Sequence, residues 1–336
     1  MQEKYLLSII IPVYNAEKYI ETCLDSMVNY LSTYRIQIIA VDDGSIDRSA
    51  EILQAYKEKY GITVVSQKNS GVSVARNAGM EAVEGKYLTF VDADDIVLES
   101  FWTSIDTWAN TETDMVIYDY IDIDEAGSFI QDVSVTKNIK ELQDVKVSFL
   151  LGHLFNTCWG KIYLSKIVRD NHIQFPINMA VGEDMLWMAK LINSIYTIKC
   201  VNCNAYGYRQ NNSGAMVQLR KELTNKRINE FANGIEIKIQ MGQDMNWSKE
   251  VREKFYQSYA DISVAKINFA IKSIENFNDL CIQVNNFLNN KTVTELFNNA
   301  IRSKTTNIKR RIVCIILMNK VFRKLYLKIK HIEVKR

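Results

Sequence analysis

Three carboxylates fall within four positions at Asp92-Ala93-Asp94-Asp95, directly after the apolar run Tyr87-Leu88-Thr89-Phe90-Val91. The run reads as a buried strand, and alternation along an extended backbone puts Asp92 and Asp94 on the same side. Like charges held that close repel, so the arrangement suggests a cation between or beside them. The carboxyl end of a strand is also where an open α/β sheet keeps its ligand crevice. The competing reading is a solvated acidic turn, with Asp95 capping the next helix. The choice rests on the elements that position the triplet.

Leu6 to Val13 is a continuous apolar run that reads as a buried strand, and Pro12 sits near its end, where a missing ladder donor is tolerable. Asn15 is placed to cap a helix over 17–31, in which Ile20, Leu24, Met27 and Leu31 keep helical spacing. Further strands are expected at 36–41, 62–65, 86–91 and 114–120, with helices at 47–60 and 72–83. Such alternation predicts a parallel, right-handed βαβ sheet. Asp42-Asp43-Gly44-Ser45 closes the second strand. Asn69-Ser70-Gly71 is turn chemistry before a helix whose Ala75, Ala78 and Gly79 make a small-residue face. Beyond 125 the pattern is mixed, with helices expected near 140–152, 159–170, 184–194 and 218–240 and short strands at 197–201 and 205–210. From Trp247 onward it reads as helices only.

A chain of 336 residues with 47% hydrophobic and 24% charged residues is globular and too long for one small core. No Gly-x-Gly-x-x-Gly follows the first strand and no Gly-Lys-Ser/Thr loop exists, which disfavours a dinucleotide dehydrogenase and a P-loop NTPase. Three histidines, none near a nucleophile motif, argue against a hydrolase triad. Cys200 and Cys203 have half the spacing of a zinc site and lack a second pair. The six scattered cysteines, with no secretion signal, fit a reducing cytoplasmic setting.

Charge divides the chain. Residues 302–336 hold twelve Lys or Arg against Glu333 alone, a net of +11, which leaves −9 for residues 1–301 of a chain whose total is +2. The apolar run Ile312 to Met318 is far shorter than the ~20 residues of a spanning helix. Apolar residues repeat at three- and four-residue steps among the cations, the pattern of a cationic amphipathic helix suited to an anionic membrane surface. Docking of this helix on the acidic body is the alternative. No nucleic-acid fold accompanies the basic tail, so nucleic acid is not expected as a partner.

The ordered set Pro12-Val13-Tyr14-Asn15, Asp42-Asp43-Gly44-Ser45, Ser70-Gly71-Val72-Ser73-Val74-Ala75-Arg76-Asn77-Ala78-Gly79 and Asp92-Ala93-Asp94-Asp95 resembles the family 2 glycosyltransferases of the GT-A fold. Within them it is closest in kind to the bacterial enzymes of capsule, exopolysaccharide and lipopolysaccharide assembly. The likeness is strong over residues 5–120 and returns at Gly182-Glu183-Asp184-Met185-Leu186-Trp187 and Tyr206-Gly207-Tyr208-Arg209. It implies an α/β fold with a mostly parallel sheet flanked by helices, a GT-A domain over 1–215 (nucleotide half 1–120, acceptor half 121–215), a helical region over 216–301 and the basic tail.

The resemblance also implies roles. Pro12, Tyr14, Asn15 and Asp43 would line the nucleotide pocket, with Asp43 accepting from the uracil imide. Arg76 would face the pyrophosphate, a contact a guanidinium suits. Asp94 would ligate Mn²⁺ or Mg²⁺, with Asp92 reaching the ribose or the metal's shell. Asp184 would be the general base, oriented by Glu183, and Arg209 would reach the phosphates or the acceptor. Trp159 and Trp187 are candidate sugar-stacking surfaces or core residues. The implied reaction is an inverting, metal-dependent hexosyl or N-acetylhexosaminyl transfer from a nucleotide-diphosphate sugar, most simply UDP-linked. The acceptor would be a glycan or a polyprenyl-diphosphate-linked saccharide, met at the inner face of the plasma membrane. A non-catalytic nucleotide-sugar-binding or glycan-binding subunit of an assembly complex is the alternative.

Overall fold

The computed structural model describes residues 4–152, 155–177, 179, 182–210, 223–303 and 306–335. Contacts divide the chain into one unit of residues 1–146 and 153–211 and a second of 147–152 and 212–336.

The first unit is a nine-stranded mixed sheet flanked by helices. Its first half runs β1 (Tyr5–Val13), α1 (Ile20–Val28), α2 (Leu31–Tyr34), β2 (Ile36–Asp42), α3 (Ser49–Tyr60), β3 (Thr63–Ser66), α4 (Val72–Glu81) and β4 (Gly85–Phe90). The order β3-β2-β1-β4 is parallel throughout, as the alternation predicts. β1 is apolar on both faces because both are covered. Leu7, Ile9, Ile11 and Val13 join a core with Ile20, Cys23, Leu24 and Met27 of α1, while Ile10 meets Gly79 of α4.

The second half adds β5 (Ile96–Val97), α5 (Glu99–Thr103), β6 (Met115–Ile123), β7 (Phe129–Val133), the first half of α6 (Leu142–Leu151), β8 (Lys161–Leu164), α7 (Ser165–Asp170), α8 (Glu183–Ser194) and β9 (Ile198–Arg209). Two expectations change here. The helix read over 159–170 starts as β8, which pairs antiparallel with both β4 and β6, and that tertiary pairing overrides local propensity. The two short strands read near 197–210 are one strand, β9, whose register against β6 shifts around Asp119.

The second unit is helical: α9 (Asn225–Asp244), α10 (Lys249–Ser273), α11 (Phe277–Asn289), α12 (Lys291–Arg302), α13 (Ile308–Met318) and α14 (Lys320–Lys335). The expected helix start at 218 lies outside the described residues. Side-chain caps set most of the breaks: Ser248, Asn276, Asn290 and Asn307 each accept from backbone N–H groups of the turn that follows. Asn319 splits the basic tail. Its backbone leaves the helical region at ψ 117° and its side chain accepts from the N–H groups of Val321 and Phe322. The tail is therefore two helices, and their Cys314, Leu317 and Leu327 belong to the unit's buried core.

The α4–β1 contact is tight enough to test. A Cβ on Gly79 would lie 2.4 Å from Ile10 Cγ2 and 3.3 Å from Val41 Cγ2. Gly79→Ala should cost about 1–3 kcal/mol through overpacking, read as a lower urea midpoint with an unchanged slope.

Candidate active site

Parallel pairing sets Val13 against Asp42 and Ile10 against Phe90, so the loops after β1, β2 and β4 leave one edge of the sheet. Pro12 lies in β1 opposite Val41, and Tyr14 is 48% exposed on that edge. Asn15 does not cap α1, which begins at Ile20 without a side-chain cap. It takes a left-handed φ of 49° and ties two loops together. Its Oδ1 accepts from Ile46 N at 2.9 Å and its N–H donates to Ser45 Oγ at 3.1 Å. Asp42 Oδ1 accepts from Ser45 N at 3.0 Å. Asp43 is buried and braces the 67–71 loop: Oδ1 accepts from Gln67 Nε2 and Ser70 N, and Oδ2 from Gly71 N, all within 2.7–2.8 Å.

Strand β4 ends at Phe90, so a turn, and not strand alternation, brings Asp92 and Asp94 together; Asp95 N donates to Asp92 O at 3.0 Å. Asp95 is no helix cap. It is 1% exposed, and its carboxylate accepts from the Tyr206 hydroxyl at 2.6 Å and from Arg209 N at 2.7 Å. The Tyr206 oxygen in turn accepts from Asp92 N at 3.1 Å. Arg209, expected at the phosphates or the acceptor, clamps this turn. Its Nε donates to Asp94 O at 2.6 Å and its Nη1 to the carbonyls of Asp124 and Glu125. Burial, then the charge of Asp92, pushes the Asp94 carboxyl up to about 6. Burial, then Asp92 and Asp94, raises Asp95 well above the carboxylate range.

Arg76 changes place. It is 4% exposed and turned into a cluster of three carboxylates. Nη1 lies 2.6 Å from Asp184 Oδ1 and 3.3 Å from Glu183 Oε1, and Nη2 lies 3.0 Å from Asp92 Oδ1. Its Cζ sits 5.2 Å from the centroid of the Phe175 ring. Burial would lower its pKa, but the charges of Asp184, Asp92 and Glu183 outweigh that and raise it. Glu183 and Asp184 form the first turn of α8, where the helix dipole favours negative charge. Asp184 Oδ2 accepts from Cys158 N at 3.3 Å. Burial pushes the Asp184 carboxyl up to about 6 against the opposing charge of Arg76.

Neither tryptophan offers a free face for a sugar. Trp187 is fully buried against Phe175, Phe90 and Tyr163. Trp159 is 6% exposed and stacks on Tyr206 and Tyr208 at centroid distances of 4.8 and 4.9 Å.

The Asp92–Asp94 turn suits a hard divalent cation. Carboxylate oxygens are the hard donors such an ion takes, and burial and the charge of Asp92 raise the Asp94 carboxyl despite the opposing charge of Arg209. No group of three ligating side chains exists among the described residues, so a bound diphosphate and water would have to complete the shell.

Residues 8–170 match the family model described as glycosyl transferase family 2. This segment of the chain belongs to that family. The chain is 28% identical over 279 residues to the glycosyltransferase GlyA of Streptococcus pneumoniae, covering 77% of this chain but 38% of GlyA. It is 32% identical over 189 residues to the poly(ribitol-phosphate) beta-glucosyltransferase of Bacillus spizizenii, covering 54% of this chain and 28% of that protein. The chain thus spans well under half the length of both. Crystal structures of Staphylococcus aureus TarS 1–349 superpose with a TM-score of 0.66 at 19% identity, covering 97% of this chain and 90% of that one. For the TarS complex with UDP-GlcNAc the TM-score is 0.58 at 18% identity, covering 88% and 90%. The fold is of the GT-A type.

The sequence did not single out Tyr206 as the link between Asp92 and Asp95, the Cys158 N–H on Asp184, or Phe175 beneath Arg76. Tyr206 had a signal, since its motif returns late in the resemblance; Cys158 had none, because a backbone N–H carries no residue signature. The charge cluster predicts a stability effect. Arg76→Ala should lower stability by about 3–5 kcal/mol, because buried carboxylates lose their partner. In urea unfolding, the double variant Arg76→Met/Asp184→Asn should recover part of that loss.

Proposed function

We propose that this protein is an inverting glycosyltransferase that moves a sugar from a UDP-linked donor to a glycan or a polyprenyl-diphosphate-linked saccharide during surface-polymer assembly. The observation that carries the reading is the ion cluster in which Arg76 joins Asp92 of the candidate cation site to Asp184 at the N-terminus of α8. It makes the acid turn and the candidate base parts of one site. The complex of TarS with UDP-GlcNAc supports a UDP-sugar, and the name of the Bacillus spizizenii relative supports a wall-polymer acceptor. Such an acceptor places the work at the inner face of the plasma membrane.

Tyr14, exposed at the strand edge, offers a ring for the base, beside the loop braced by Asp43. Asp94, with Asp92 beside it, would hold Mn²⁺ or Mg²⁺, whose charge would offset that of the donor diphosphate. Arg209 fixes the turn that carries Asp94 through its backbone carbonyl. Asp184 takes the acceptor hydroxyl's proton as that oxygen bonds to the anomeric carbon on the face opposite the nucleotide. The bond from that carbon to the diphosphate oxygen breaks, and the nucleoside diphosphate leaves with the electron pair. A carboxyl titrating near 6 is mostly ionised at neutral pH and is a stronger base than an ordinary aspartate. Arg76 and Cys158 N hold it in one orientation.

Asp94→Asn should remove the Mn²⁺ dependence of UDP affinity in calorimetry while the melting transition stays cooperative. Unchanged metal-dependent affinity would show that Asp94 is not a ligand. Asp184→Asn should leave UDP affinity near normal and lower turnover about 10²–10⁴-fold, the usual worth of a general base. The base must be unprotonated to act, so wild-type turnover should fall tenfold per unit as pH drops below about 6 and level off above it. A flat profile between pH 5 and 8 argues against Asp184.

A further inference from the structure

The two tail helices carry apolar residues on the side turned away from their own core. On α13, Cys314 and Leu317 are fully buried, whereas Ile308, Ile312 and Ile315 are 74%, 51% and 47% exposed. At 100° per residue these three isoleucines form one narrow stripe opposite the buried pair. On α14 the row Arg323, Leu327, His331 faces inward. Arg323 is anchored there by donation to Leu317 O and Asn285 Oδ1. The row Val321, Leu325, Ile329 is 77%, 56% and 49% exposed. Immediately beside it runs a third row, Lys320, Lys324, Lys328, exposed and in no ion pair among the described residues.

We propose that these stripes are a docking face for an anionic lipid bilayer, with the aliphatic side chains of α13 and α14 in the interfacial layer and the lysine row at the headgroups. The inference rests on the membrane-face reading above and names the surface that would make the contact. Charge selects the occupant. A second copy would set the exposed row Lys320, Lys324 and Lys328 against its own duplicate, and the two would repel. Nucleic acid would use the lysines and leave the aliphatic stripes in water. An anionic bilayer satisfies both features at once, and lysine stems can lie along the apolar boundary with their ammonium groups in the headgroups. No helix among the described residues is long and apolar enough to cross the membrane, so a surface mode of attachment suits these helices.

The test uses the full chain and co-sedimentation with vesicles of phosphatidylglycerol or of phosphatidylcholine. Wild type should pellet with the anionic vesicles, less so as salt rises. Each surface cation is worth about fivefold in partitioning, so Lys320→Gln/Lys324→Gln/Lys328→Gln should bind about a hundredfold more weakly. Val321→Ser/Leu325→Ser/Ile329→Ser should lose binding to the anionic vesicles even at low salt. All six positions are exposed, so the melting curves should match wild type. Equal pelleting of wild type with both lipids, or variants that bind like wild type, overturns the proposal. So does a dimer in sedimentation velocity that the serine variant abolishes. UDP release from a soluble donor is measured on the same proteins. Vesicle binding without any turnover overturns the transferase reading and leaves the docking face standing, whereas turnover without vesicle binding does the reverse.

Discussion

One guanidinium holds three carboxylates together at the heart of the first unit. Arg76 is almost wholly buried, so its charge is tolerable only because Asp92, Glu183 and Asp184 surround it, and they are tolerable only because of it. One cation against three carboxylates leaves the cluster net negative. Burial first, and then that excess, keep Asp184 raised beside an arginine that would otherwise lower it. Burial and imbalance together give a carboxyl tuned toward neutral pH without histidine, in a chain with only three.

Arg209, the buried cation beside the acid turn, fixes geometry and also pulls the Asp94 carboxyl down. Arg209 donates to carbonyls, and its own backbone N–H and the Tyr206 hydroxyl secure the carboxylate of Asp95. Both residues come from the end of β9, which pairs with β6 in parallel and with the short β5 in antiparallel. The acid turn is thus fixed from behind by polar contacts that leave the side chain of Asp94 to solvent and ligand. The strand edge supplies the remaining walls through the tie between Asn15 and Ser45–Ile46 and the brace from Asp43 to the 67–71 loop.

The parallel half of the sheet was legible because its signals are local. Ile-rich runs end in Asp and Gly, and helices of ten to twelve residues lie between them. Asp43, Asp92 and Asp94 stood out as chemistry-bearing residues at strand ends, whereas Asp184 was nameable only through the family resemblance. What escaped depended on distance. The Arg76–Asp184 contact spans 108 residues, and nothing about Arg76 in its own helix tells a phosphate ligand from a buried counter-ion. Strand β8 looked helical because its identity comes from lying between β4 and β6. The two tail helices looked like one because Asn319 is a common helix residue until its side chain is seen capping the next turn.

The charge cluster bears on how such a domain can be inherited. The arginine lies on α4 and two of its three carboxylates on α8, with five strands of the sheet between them in sequence. A crossover with a relative anywhere between Asp92 and Glu183 therefore joins an arginine from one parent to carboxylates whose positions were refined against another. The two halves of the sheet can drift in their loops, but the buried charges bind them into a single unit of exchange. New specificities should arise more readily by loop variation around this block than by swapping its halves.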